Sequence, residues 1–154
     1  MKRKHIADYD KFFEAVGVDM ANQALDEVEN IRKDFPEFED TPDDFWLDFV
    51  LWKNTFPFIR FMRDEHNYDT REIWKRLYRE YLQSVSWKFR KIVMMRNFDN
   101  RCQLCYSSGD EITLHLHHRT YERLGSEKPS DLTLLCSGCH AKFHGDINGD
   151  ITVS

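Results

Sequence analysis

Cys102-Gln-Leu-Cys105, then Leu114-His-Leu-His117-His118, then Cys136-Ser-Gly-Cys139-His140 are the stretches whose reading decides the fold of the C-terminal half. Each Cys-x-x-Cys turn lets two sulfurs reach one tetrahedral ion, and two such turns complete a closed site of four thiolates. All four cysteines of the chain, Cys102, Cys105, Cys136 and Cys139, lie in these turns. That spacing favours structural zinc over a disulfide framework; a redox dithiol is the competing reading. The long gap between the pairs needs a hairpin and a loop to fill it. So small a half-chain builds little core, and metal binding would supply much of its folding energy.

Outward from the cysteines, Ile112-Thr-Leu-His-Leu-His117 alternates at period two. Ile112, Leu114 and Leu116 fall on one face and His115 and His117 on the other, which predicts a short strand ending at the histidine pair. Residues 119–130 read as a loop, and Leu132, Leu134 and Leu135 lead into the second cysteine pair. A helix beginning near Ser137 would put His140 and His144, four apart, on one face. Trp87 to Arg96 reads as a helix leading into the first pair, and Asp146-Ile-Asn-Gly-Asp-Ile151 has the Asn-Gly mark of a tight hairpin. If a sulfur-bound ion staples strand to helix, His117, His140 and His144 can converge on a second ion with His118 beside them. A base to activate water and a cation to stabilise the charged phosphorus centre are what phosphodiester hydrolysis requires. Surface histidines are the bland alternative.

Taken together, Trp87, Arg96-Asn-Phe-Asp-Asn-Arg101-Cys102, Leu114 to His118, Asp131-Leu-Thr-Leu-Leu-Cys136, Cys139-His140 and His144 resemble an HNH endonuclease of the ββα-metal class, over about residues 84–145. The resemblance implies that His118 is the general base and that His117 and His140 hold the catalytic divalent ion, with His144 as an additional ligand. The middle letter of the motif is usually Asn; here Asp131 stands there, five residues before Cys136. The implied role of that position is to tie down the loop by side-chain to backbone hydrogen bonds, which Asp can accept. Thr120 to Glu127 also looks like the loop of this subgroup. The implied reaction is hydrolysis of DNA, leaving 3′-hydroxyl and 5′-phosphate ends. Nitrogen ligands suit Zn²⁺, Ni²⁺, Co²⁺ and Mn²⁺ better than Mg²⁺. The expected cofactors are therefore a structural Zn²⁺ and one catalytic divalent cation, drawn from Mn²⁺, Ni²⁺, Co²⁺, Zn²⁺ or Mg²⁺.

The expected fold class is α+β: a helical N-terminal region, residues 1–83, followed by a zinc-stapled ββα-metal (HNH) domain, residues 84–154. In the front half Asp19 could cap a helix carrying Met20, Ala24, Leu25, Val28 and Ile31. Thr41-Pro-Asp-Asp44 predicts a helix start with Thr41 as cap and Pro42 as first helical residue. Pro57 predicts an interruption, and Asp69 or Thr70 a cap for the apolar stripe Ile73, Trp74, Leu77, Tyr78, Tyr81 and Leu82.

The net charge of −5 divides unevenly: residues 1–83 hold 13 Lys+Arg against 19 Asp+Glu, residues 84–154 hold 9 against 8. An acidic chain is unusual for a DNA binder, but Lys88, Arg90, Lys91, Arg96 and Arg101 crowd the approach to Cys102. Arg90, Lys91, Arg96, Arg101 and Arg119 are candidate phosphate contacts, with Arg96 and Arg119 favoured because they flank the motif. The expected partner is DNA. The acidic, aromatic front half is read as a scaffold, a docking surface for a protein partner, or a self-association surface. No apolar run approaches a membrane span and no signal peptide is recognisable, so a cytoplasmic protein is expected. Two other functions fit the same residues: a zinc-stabilised DNA-binding module without catalysis, and a protein-interaction scaffold with a nuclease-like half.

Overall fold

The computed structural model describes residues 2–3, 14, 27–30, 32–33, 35–38 and 40–146, without the side chains of residues 37 and 144–146. The class is α+β, helices with one small two-stranded antiparallel sheet. The chain divides into two compact units, Met1–Ser86 and Trp87–Ser154. Most of the expected helix from Asp19, and the Asn-Gly hairpin after Asp146, lie outside the described residues; residues 27–30 are helical and Val28 is buried.

Helix α1, Asp43–Asp64, starts one residue later than the cap signal suggests. Pro42 takes the cap position in extended backbone, and no side chain caps the helix. Arg32 organises the entry instead, donating to the Thr41 carbonyl at 2.9 Å and pairing with Asp43. Asp43 and Asp44 place negative charge at the positive end of the helix dipole.

Pro57 does not interrupt α1; the helix runs through it for 22 residues. A proline inside a helix costs about 3 kcal/mol. Pro57 is exposed, as is Lys53, so water can reach the carbonyl that loses its amide partner. On either side, Trp52, Phe56 and Ile59 are buried, and each buried side chain of this size contributes about 1.5–3 kcal/mol. Burial outweighs the proline penalty.

Those residues pack on α2, Arg71–Gln83, whose buried positions Ile73, Leu77, Tyr78, Tyr81 and Leu82 form one helical stripe. Tyr81 meets Trp52 and Phe56 with ring centroids 5.2 and 5.7 Å apart. Thr70 holds the α2 cap position without a side-chain bond, while the Asp69 carboxylate accepts from the Arg71 amide at 3.3 Å. Helix α3, Val85–Asn97, is opened by a residue distant in sequence. Asp48 of α1 accepts from the Ser86 amide at 2.8 Å and from the Ser86 hydroxyl at 2.6 Å.

In the second unit, β1 (Leu114–His118) pairs antiparallel with β2 (Leu132–Cys136), and α4 (Ser137–Asp146) follows at once. The register sets Leu114 against Cys136, Leu116 against Leu134 and His118 against Leu132. The expected strand began at Ile112, which instead lies outside β1 and is 38% exposed. The register explains this: opposite Cys136 the sheet ends, because the chain turns into α4 at Ser137 and leaves no strand beside Ile112, whose amide donates to the Ser108 carbonyl at 3.1 Å instead.

Candidate metal centre and histidine site

The first cysteine turn is shaped by backbone bonds that need no metal. The Cys102 amide donates to the Ser107 carbonyl at 3.0 Å, and the Tyr106 amide to the Cys102 carbonyl at 3.0 Å. Tyr106 reverses the chain with φ of 61°. Gln103 fastens this turn to β2: its amide donates to the Leu134 carbonyl at 2.9 Å, and its side-chain oxygen accepts from the Leu134 amide at 2.6 Å. The second turn spans the end of β2 and the first turn of α4, where the Cys139 amide points at the Cys136 sulfur, 3.4 Å away. Cys102 and Cys136 sit in a small core with Leu114, Leu134 and Leu135.

The four sulfurs lie within 4.8 Å of one another. A tetrahedral zinc site with Zn–S of about 2.3 Å has sulfurs ~3.8 Å apart, and Cys105 and Cys136 stand 3.7 Å apart. Hydrogen bonds from Ser107 draw the Cys105 thiol down to about 6, favouring thiolate. Cys139, hydrogen-bonded to Cys136 and desolvated, is pushed up to about 12. Thiolates this crowded cannot all ionise without a cation between them. The cluster can hold a structural metal ion, and its geometry is consistent with zinc.

Beside it, the expected histidines fall into two groups. His117 leaves β1 on the face away from Leu114 and Leu116, and meets His140 of α4 with ring centroids 5.5 Å apart and planes at 71°. Two imidazoles on one tetrahedral ion, each with a metal–nitrogen bond of about 2.0–2.1 Å, would set their centroids ~5 Å apart. Both rings are buried, with Phe143 edge-on to His117 at 4.5 Å. His115 shares the strand face but stacks flat on His140, at 5.1 Å and 11°. It is itself anchored to Ser137, with Nε2 at 3.2 Å from Oγ. His144 lies in α4, but its side chain is outside the described residues. Among the described residues the four cysteines are the group of three or more ligand-type side chains that gathers closely enough for one ion.

His118 belongs to the second group. Alternation along β1 places it on the opposite face from His117. Its ring stacks on Trp87 at 4.5 Å and 17°, with Tyr121 tilted nearby at 5.4 Å. Its Nε2 lies 2.9 Å from Glu127 Oε1. Both side chains are almost wholly shut from solvent.

Asp131 ties down the loop that carries Glu127. Its carboxylate accepts from the Lys128 amide at 2.9 Å and from Arg123 Nε at 2.8 Å, and its carbonyl accepts from the Arg119 amide at 2.7 Å. The Arg123 guanidinium holds the Asp131 carboxyl below its ordinary value. Of the basic candidates, Arg96 and Arg119 are exposed on the last turn of α3 and just past β1. Arg90 is not a surface phosphate contact: it turns inward and donates to the carbonyls of Glu127 and Gly125 at 3.0 and 2.9 Å. Arg101 donates to the Tyr106 carbonyl at 2.9 Å.

Trp87 and the loop of residues 120–127 entered through the resemblance, but no sequence signal placed Glu127, Trp87 or Tyr121 against His118, or Arg123 against Asp131. Glu127 is one acid in a polar loop, nine residues from the histidine it meets, and no periodicity links them. No helix of the described residues is long and apolar enough to cross a membrane. No protein-family model, curated protein or solved structure matches the chain.

Proposed function

We propose that this chain is a metal-dependent endonuclease of the HNH kind, hydrolysing DNA phosphodiester bonds. The observation that carries the reading is the meeting of His117 and His140, one from the strand and one from the helix, at ligand-like separation beside the thiolate cluster. A divalent ion held there would supply charge stabilisation at phosphorus and at the leaving oxygen. His117 and His140 are the residues that would hold it, with His144 as the third candidate. His118 takes the proton from the attacking water. Arg96 and Arg119, exposed near the motif, hold the phosphate backbone. Asp131 and Arg123 keep the connecting loop in place. Residues 1–83, acidic and rich in aromatic side chains, are assigned to docking on a protein partner.

One observation favours a second reading, a zinc-stabilised DNA-binding module without catalysis. His118, the base of the first reading, has a side chain only 2% exposed and already faces a carboxylate. A supercoiled-plasmid assay over Mn²⁺, Ni²⁺, Co²⁺ and Mg²⁺ separates the two. The nuclease reading expects nicking that His118→Ala abolishes while zinc content and DNA binding persist. DNA binding without nicking in any of the four ions, at full zinc occupancy, would establish the binding module instead.

A further inference from the structure

Glu127 joins two partners with its two oxygens. Oε1 faces His118 Nε2 at 2.9 Å, and Oε2 faces Arg90 Nε at 3.1 Å. Its side chain is 0% exposed and that of Arg90 is 15% exposed. The same guanidinium grips the loop backbone at Gly125 and Glu127, so the carboxylate cannot swing away without the loop. Trp87 fixes the plane of the imidazole by stacking.

A carboxylate held by a guanidinium only accepts hydrogen bonds, and a neutral imidazole has one N–H and one lone pair. A carboxylate at Nε2 therefore selects the Nε2–H tautomer and leaves the lone pair on Nδ1. We propose that Glu127 is the positioning residue for His118: it keeps the ring proton on Nε2 and so makes Nδ1 the atom that takes a proton from water. This rests on the reading of His118 as the general base. In the step, Nδ1 accepts the proton while the water oxygen bonds to phosphorus and the bond from phosphorus to the 3′ oxygen breaks. The leaving oxygen takes a proton from solvent. The imidazolium, its Nε2–H facing Glu127, then returns the Nδ1 proton to solvent.

Glu127→Gln is a sharp test because the amide is the same size but has only one oxygen. That oxygen can stand in the place of Oε1 or of Oε2, so it can face His118 Nε2 or Arg90 Nε but not both. The Arg90 guanidinium, in ion-pair contact at 3.1 Å, attracts the amide oxygen and repels the NH₂, which turns the NH₂ toward His118 Nε2 and forces the ring into the Nδ1–H tautomer. The readout is the ¹⁵N shifts of the His118 ring nitrogens at neutral pH, in zinc-loaded full-length wild type and variant. The wild-type ring is expected to carry its proton on Nε2, and the variant ring on Nδ1. The variant's kcat for nicking should fall by on the order of 100-fold or more, the usual contribution of a general base, with KM unchanged. A wild-type ring protonated on Nδ1, alone or together with Nε2, overturns the proposal, as does a folded variant that keeps the Nε2–H tautomer. If the variant does not fold, the wild-type shifts decide alone. A tautomer switch as described in a protein that cuts no DNA would overturn the nuclease reading and leave Glu127's hold on the ring proton standing.

Discussion

Removing the metal from the cysteine cluster should melt the second unit and spare the first. The perturbation is chelation, or Cys136→Ser, which withdraws one of the four sulfurs gathered within 4.8 Å. The unit's buried leucines are few: Leu114, Leu134 and Leu135 pack around the cluster, and Leu116, Leu124 and Leu132 are buried elsewhere in it. Six such side chains contribute about 9–18 kcal/mol of gross burial, most of it offset by the entropy of ordering the chain, whereas a structural zinc supplies about 10–16 kcal/mol. A whole domain is stable by only about 5–15 kcal/mol, so losing the ion exceeds the margin. The first unit keeps its own core, in which Trp46, Phe56, Ile59, Ile73 and Tyr81 are almost completely buried. Hydrogen exchange read peptide by peptide is the assay. Amides of Leu114–His118 and Leu132–Cys136 should lose protection in chelator, while those of α1 and α2 keep it. Unchanged protection in β1 and β2 after complete metal removal would refute the reasoning, since it would mean that leucine packing alone holds the sheet.

Three further outcomes follow from the first unit. Pro57→Ala should raise its thermal stability by about 1–3 kcal/mol, because the alanine restores a helical amide at an exposed position; a lowered melting temperature would show that the proline ring makes a contact the helix needs. Asp48→Ala should cost about 1–2 kcal/mol by uncapping α3, seen as faster amide exchange at Ser86 and the residues after it, and unaltered exchange there would remove Asp48 from the capping role. Arg71 holds the Asp69 carboxyl down to about 2, so its folded value lies below the unfolded one near 3.9. The pair's contribution is therefore present above about pH 4 and fades as pH falls toward 2; an NMR titration placing the Asp69 midpoint at the ordinary carboxylate value would contradict the pairing.

Local signals were legible where chemistry depends on sequence neighbours. The Cys-x-x-Cys turns needed no distant partner to be read. His140 followed from its place after Cys139, and period-two alternation put His115 and His117 on one strand face. Signals failed where distant contacts decide. Pro57 breaks a helix by its own chemistry, yet Trp52, Phe56 and Ile59 are buried on both sides of it and carry the helix through. Thr41 had the composition of a cap, but Arg32 draws its carbonyl and Asp43 together. Ile112 continued the strand pattern, and only the register with Cys136 shows why the strand cannot reach it. Arg90 read as one cation in a basic run, and its inward turn toward Glu127 depends on a loop more than thirty residues later. The alternation that grouped His115 with His117 also implied that His118 points the other way, a consequence that the adjacent histidine pair obscures.

The central claim is that a thiolate-bound ion brings strand and helix together so that His117 and His140 can share a second ion. Native mass spectrometry of zinc-loaded protein titrated with Ni²⁺ tests it most directly. The account predicts a second, weaker metal ion on the wild-type chain, and zinc alone on a folded His117→Ala/His140→Ala variant. A wild-type chain that never takes the second ion, or a double variant that still does, would contradict it.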